Sequence, residues 1–162
     1  MNNLKRLKWT TPTPIQKYAV KILKDFGRDL MAAAQTGSGK TGAMLIPTID
    51  YLLKQGVNTQ YGTGQRIKVL MVAPTRELAT QIYDDARRLS HGTDIKVNYA
   101  YGGTASRGQC EKIYRGTTIL IGTPGRLVDF ADKHVYVMND CEFFFLDEAD
   151  RMLDMGFRYL FS

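Results

Sequence analysis

Short apolar runs alternate along the chain with stretches whose apolar residues recur every three or four positions. The runs predict strands near Asp29–Ala34, Lys68–Ala73, Lys96–Tyr101, Thr118–Gly122 and Glu142–Leu146, each bounded by turn residues or by a change of period. Helices fill the intervals. The clearest spans Arg76–Ser90, where Leu78, Ile82, Ala86 and Leu89 share one face, with Thr75 as its N-cap and Gly92 as its terminator. Another spans about Lys40–Leu53 and carries Pro47, whose ring and missing N–H predict a kink. Gln55–Gln65 is polar, contains Gly56, Gly62 and Gly64, and reads as a surface loop. Strands alternating with helices predict an α/β domain, a mostly parallel sheet with helices on both faces.

Composition narrows the class without fixing it. The 162 residues fit one domain, and 44% hydrophobic with 23% charged residues is ordinary for a globular α/β protein. No apolar run reaches the roughly 20 residues of a membrane span, and the N-terminus shows no apolar secretory core. Cys110 and Cys141 have no histidine at metal-ligand spacing; they read as small residues in or near the core of a protein in a reducing compartment, cytoplasmic or nuclear. Lysine and arginine number 22 against 16 acidic residues, a net charge of +6 that suits a polyanionic partner but does not demand one.

Chemistry enters at Ala34-Gln35-Thr36-Gly37-Ser38-Gly39-Lys40-Thr41, between a predicted strand and a predicted helix. This is a Walker A loop with Ala34 in place of the usual first glycine. Gly37 and Gly39 let the backbone turn tightly enough for successive amides to converge on an anion. The helix N-terminus adds partial positive charge. Lys40 is placed to reach the β- and γ-phosphates, and the Thr41 hydroxyl to ligate Mg2+. The bland alternative is a glycine-rich turn.

A second pole follows Phe143-Phe144-Phe145-Leu146, an apolar run ending in Asp147-Glu148-Ala149-Asp150. A buried strand delivering carboxylates at its C-terminal end is the Walker B arrangement, and that end of an open α/β sheet faces the ligand crevice. Asp147 would hold Mg2+, through water, and Glu148 would orient and deprotonate the attacking water. Taken alone, the same residues could be an acidic helix start.

These segments together resemble the DEAD-box RNA helicase family. Thr11-Pro12-Thr13-Pro14-Ile15-Gln16 resembles its Q motif, Ala33–Thr41 motif I, and Pro74-Thr75-Arg76-Glu77-Leu78-Ala79 motif Ia. Gly102-Gly103 resembles the double-glycine element, Thr123-Pro124-Gly125-Arg126 motif Ib, and Asp147–Asp150 motif II. The similarity runs from about Trp9 to Phe157 and is strongest to the Vasa-like branch. Each motif is weak alone; six in order are specific. The resemblance implies a RecA-like P-loop NTPase domain, ATP and Mg2+ as cofactors, and RNA as partner.

The residue chemistry agrees with what the resemblance implies. The Gln16 amide offers a donor and an acceptor to the N6/N7 edge of adenine, which selects ATP over GTP. Trp9 is either packed near the adenine or ordinary core. Pro74, Thr75, Arg76, Gly102, Gly103, Thr123, Pro124, Gly125 and Arg126 are suited to gripping phosphates of an RNA strand. Such contacts carry little sequence preference. Without the resemblance, these would read as ordinary caps and turns.

Family members continue with a Ser-Ala-Thr motif on a further strand and a second RecA-like domain that contributes arginines to the γ-phosphate. The resemblance therefore implies a first, ATP-binding domain, incomplete at its C-terminal end, with the second domain absent. Exposed apolar surface around Phe143–Phe145 would make such a chain poorly soluble or marginally stable. The leading expectation is an RNA-stimulated ATPase that unwinds local RNA duplexes. The competing ones are a non-catalytic fragment that binds ATP or RNA, and a different P-loop NTPase such as a DNA helicase.

Overall fold

The computed structural model describes residues 2–24, 29–35, 37–56 and 66–157. Of the loop expected at Gln55–Gln65, residues 57–65 lie outside them, as do Thr36 and the C-terminal residues 158–162. The chain forms two compact units, Met1–Val57 with Asp85–Thr93, and Asn58–Asp84 with Asp94–Ser162.

In the first unit, helix α1 (Asn2–Arg6) is tied down by Asn3, whose Nδ2 donates to the carbonyls of Leu89 and His91 at 2.7 and 2.8 Å. Helix α2 (Pro14–Lys24) packs on helix α3 (Lys40–Gln55). Pro14 opens α2 at the position where a missing N–H costs nothing. Pro47 does not interrupt α3, which runs through it to Gln55.

The strand expected at Asp29–Ala34 does not form. Asp29–Ala33 are exposed, Met31 almost completely at 98%. Leu-Met-Ala-Ala-Ala is a run of helix formers with little intrinsic β preference, and no described strand supplies it with ladder bonds.

The second unit holds a four-stranded sheet of β1 (Val69–Val72), β2 (Val97–Ala100), β3 (Ile119–Gly122) and β4 (Phe143–Leu146). The strands run parallel in the order β2-β3-β1-β4. Position in the sheet explains the sequence of each strand. Central β1 and β3 are covered on both faces and read as unbroken apolar runs, Val-Leu-Met-Val and Ile-Leu-Ile-Gly, buried throughout. Outer β2 and β4 are only partly buried, and Phe144 is 45% exposed. The second edge of β4 meets no other described strand.

Helices α4 (Arg76–Leu89), α5 (Ser106–Tyr114) and α6 (Pro124–Asp132) link successive strands, and α7 (Ala149–Asp154) follows β4. Thr75 caps α4 as expected, its Oγ1 accepting the Leu78 N–H at 3.3 Å. Gly92, just beyond the end of α4, adopts φ +76°. One face of the sheet, with Leu70, Val72, Ala100 and Leu120, forms a core with Ile113, Leu127, Phe130, Tyr136 and Met152. Cys110 and Cys141 are free thiols packed against this core. Tyr136 donates its hydroxyl to the Leu127 carbonyl at 3.1 Å. Burial, with smaller effects of Cys141 and Asp132, pushes its phenol up to about 12. Burial likewise raises the Cys141 thiol.

Candidate functional site: a phosphate loop and the C-terminal rim of the sheet

The phosphate loop belongs to the first unit. Gly37 and Gly39 adopt φ +81° and +91°, where a side chain is strained, and Ser38 N–H closes a turn on the Gln35 carbonyl at 3.2 Å. Gly39 is the N-cap of α3, so Lys40 and Thr41 occupy its first turn with the free amides of the helix start. Lys40 Nζ donates to the Ala34 carbonyl, so the ammonium caps its own loop.

Gln16 is fastened to this loop. Its Oε1 accepts the Thr13 N–H at 3.0 Å and its Nε2 donates to the Gly39 carbonyl at 3.2 Å. The first of these bonds is one half of a capping box, Thr13-Pro14-Ile15-Gln16 at the start of α2. The sequence signal for it, Thr followed three residues later by Gln, is overshadowed by the adenine reading of the same residue. A carboxamide has two donor hydrogens and two acceptor lone pairs, so the two bonds leave one of each. Space on the facing side is short: a Cβ at Gly39 or Gly42 would stand 2.7 Å from Gln16 Nε2, and one at Gly42 also 3.1 Å from the Trp9 ring. Trp9 therefore packs against the first turn of α3 beside Gln16. Thr13 Oγ1 and Ser38 Oγ are buried without a hydrogen-bond partner. Of the two, Ser38 lies between Gly37 and Gly39 at the start of α3, where a free hydroxyl is suited to an oxyanion.

The remaining candidates belong to the second unit and share one rim. Val72, Gly122 and Leu146 lie in register, as do Ala100 and Gly122. The bonds Ala73 N–H to Gly122 O, Thr123 N–H to Ala100 O and Asp147 N–H to Val72 O, at 3.0, 3.0 and 2.9 Å, carry that register one residue past the strands. Because the strands are parallel, Pro74–Arg76, Gly102–Gly103, Thr123–Arg126 and Asp147–Glu148 all emerge at the C-terminal rim, where open α/β sheets bind ligands.

Details of the rim are specific. Asp147 is 7% exposed, and its Oδ1 accepts the Glu148 N–H at 3.1 Å. Glu148 occupies the left-handed region at φ +53°, ψ +50°, as N-cap of α7, and its Oε2 pairs with Arg151 Nη1 at 3.2 Å. Pro124 and Gly125 open α6 after the N-cap Thr123, and Arg126 Nη2 donates to the Thr104 carbonyl at 3.2 Å. The Arg76 guanidinium lies 5.0 Å from the centre of the Tyr101 ring. At Gly122 an added Cβ would stand 2.8 Å from Leu127 Cγ and run into the Ala100 carbonyl, so only glycine lets α6 leave the sheet this closely.

A phosphate loop opening a helix, and parallel strands whose common rim ends in an Asp-Glu pair, define a P-loop NTPase domain of RecA type. The chain belongs to the DEAD/DEAH box helicase family, which it matches over residues 13–161. It is 47% identical over 157 residues to the ATP-dependent RNA helicase vasa of Drosophila melanogaster, an alignment covering 97% of this chain and 23% of that protein. It is 45% identical over 157 residues to the probable ATP-dependent RNA helicase DDX4 of Bos taurus, covering 96% and 21%. Among solved structures it resembles the yeast DEAD-box splicing factor Prp28, with a TM-score of 0.87, 34% identity, and 95% of this chain and 36% of that one covered. The RNA helicase Prp28 from Chaetomium thermophilum bound to ADP gives 0.85, 37%, 98% and 38%. The chain thus spans less than a quarter of the length of these curated relatives.

Proposed function

We propose that this chain is the ATP-binding part of an ATP-dependent RNA helicase, hydrolysing ATP in response to RNA and using the cycle to open short duplexes. The observation that carries the reading is the fastening of Gln16 to the phosphate loop through Gly39, which makes one rigid piece of a base-reading amide and a phosphate cradle. The ADP bound to the Chaetomium relative supports the same nucleotide class.

In this reading, the remaining donor and acceptor of Gln16 take the adenine edge. The amides of Ala34–Thr41 surround the phosphates, and Lys40 exchanges the Ala34 carbonyl for phosphate oxygens. Mg2+ takes hard oxygen donors, and the Thr41 hydroxyl of the first unit and the buried Asp147 carboxylate of the second are each of that kind; the ion would offset charge on the transferred phosphoryl group. Glu148 holds the attacking water and accepts its proton, once its carboxylate is released from Arg151. Pro74–Arg76, Gly102–Gly103 and Thr123–Arg126 hold the RNA backbone, so affinity depends on salt more than on sequence.

The engagement of Lys40 with Ala34 and of Glu148 with Arg151 gives weight to a second reading, a domain that binds nucleotide and RNA without turning over ATP. Steady-state ATP hydrolysis with Mg2+, with and without single-stranded RNA, separates the two, with Lys40→Ala as control. RNA-stimulated turnover lost in the control supports the enzyme. Nucleotide binding without turnover, in the protein that contains this chain, would establish the second reading.

A further inference from the structure

The turn after β2 carries Gly102-Gly103, and its geometry is set by a residue outside the RNA-facing group. Gln109, on α5, is 4% exposed. Its Oε1 accepts the Tyr101 N–H at 3.0 Å, and its Nε2 donates to the Tyr101 carbonyl at 3.1 Å and the Thr104 Oγ1 at 2.7 Å. The side chain thus pairs with both peptide groups of Tyr101 as a neighbouring strand residue would, just where edge strand β2 ends. The amide orientation is fixed chemically, since turned over it would set two donors against the Tyr101 N–H.

The turn is also held from its other sides. Tyr101 stacks on Tyr99 with ring centres 4.5 Å apart, beneath Arg76. Gly103 adopts φ +78°. Thr104 passes the constraint on, because its carbonyl accepts Arg126 Nη2, while Arg126 Nη1 is buried and has no hydrogen-bond partner. The guanidinium also lies 5.3 Å from the centre of the Phe130 ring, and a planar cation held between that ring and the Thr104 carbonyl suits a phosphate oxygen.

We propose that Gln109 is a positioning residue for RNA binding: its amide fixes the Tyr101–Thr104 turn and, through Thr104, aims Arg126 at an RNA phosphate. This rests on the RNA reading given above and adds a determinant that does not itself touch RNA.

The test uses the full chain with three readouts: anisotropy of a fluorescein-labelled oligouridylate, titration of a fluorescent ADP, and amide hydrogen exchange at Gly102–Thr104. Gln109→Glu keeps the acceptor for Tyr101 N–H and removes both donors; Gln109→Met removes all three bonds. Both are expected to weaken RNA binding about tenfold and to speed exchange in the turn, with ADP affinity unchanged. Should Gln109→Met fail to fold, Gln109→Glu carries the test. Wild-type RNA affinity or wild-type turn exchange in Gln109→Glu would overturn the proposal, and so would a parallel loss of ADP binding. A wild-type chain that binds no RNA, though its turn exchange still responds to the substitution, would overturn the RNA reading and this role with it.

Discussion

Gln16 Nε2 lies 3.2 Å from the Gly39 carbonyl, while Oε1 of the same amide holds the Thr13 N–H. One side chain therefore closes the start of α2 and anchors the residue that opens α3. Gln16→Glu should separate these roles. It keeps the acceptor for Thr13 and loses the donor to Gly39, setting a carboxylate beside a carbonyl and near the proposed phosphate site. Nucleotide affinity should fall at least about tenfold with little change in melting temperature. Gln16→Ala should lose affinity and also about 1 kcal/mol of stability with the cap. Fluorescent-ADP titration and thermal melts of both variants check this; equal melting losses in the two would contradict the assignment.

Gly42 presents a conflict between backbone preference and space. Alanine in a helix is favoured over glycine by roughly 1 kcal/mol, but its Cβ would meet Gln16 Nε2 and the Trp9 ring. The amide can swing away and the indole cannot retreat so easily. Gly42→Ala is expected to leave stability within about 1 kcal/mol of wild type while releasing Gln16 from Gly39. Loss of nucleotide affinity at near-constant stability is the signature to look for.

Glu148 stands in a left-handed conformation that a non-glycine residue adopts at a cost of roughly 1–2 kcal/mol. Asparagine tolerates that region and caps helices well. Glu148→Asn should stabilise the domain by roughly 0.5–1 kcal/mol, whereas Glu148→Gln should not, because it keeps the strain. ATP turnover in the protein containing this chain should vanish in both. Urea melts with single-turnover hydrolysis decide it, and a Glu148→Asn variant no more stable than Glu148→Gln would show that the backbone there stores nothing.

Tyr136 gives a signed pH dependence. Its phenol rises from an ordinary value of 10.0 to about 12 in the folded state, so folding favours the neutral form. That contribution is complete below pH 10 and is lost as the pH rises through about 12. Tyr136→Phe leaves the Leu127 carbonyl without its donor and should cost about 1 kcal/mol at neutral pH. The gap between the two proteins should narrow between pH 10 and 12. A gap that stays constant across that window in paired denaturation curves would place the phenol in contact with solvent.

The sequence resolves some elements better than others, for physical reasons. Strands β1 to β4 and α4 were legible because burial writes itself as a period, and each expected strand is longer than the observed one by a single residue at one or both ends. The Thr75 cap followed from chemistry that acts over three residues. Asp29–Ala34 failed because an apolar run states that a segment seeks cover, not that a strand will pair with it. Gln16 stands out in the sequence for the chemistry of its amide, while its place in a capping box goes unread. Gln109 was missed altogether. Its importance comes from where β2 ends and α5 begins, and a lone glutamine in a polar helix gives no sign of that.

The parallel register has a practical corollary for anyone building sensors from this domain. The motif residues of the second unit emerge where its strands finish, so the returns at the starting ends, such as residues 115–118 and 133–142, carry none of them. A dye carried at Asn139, exposed in the latter return, would travel with the sheet and leave that rim untouched.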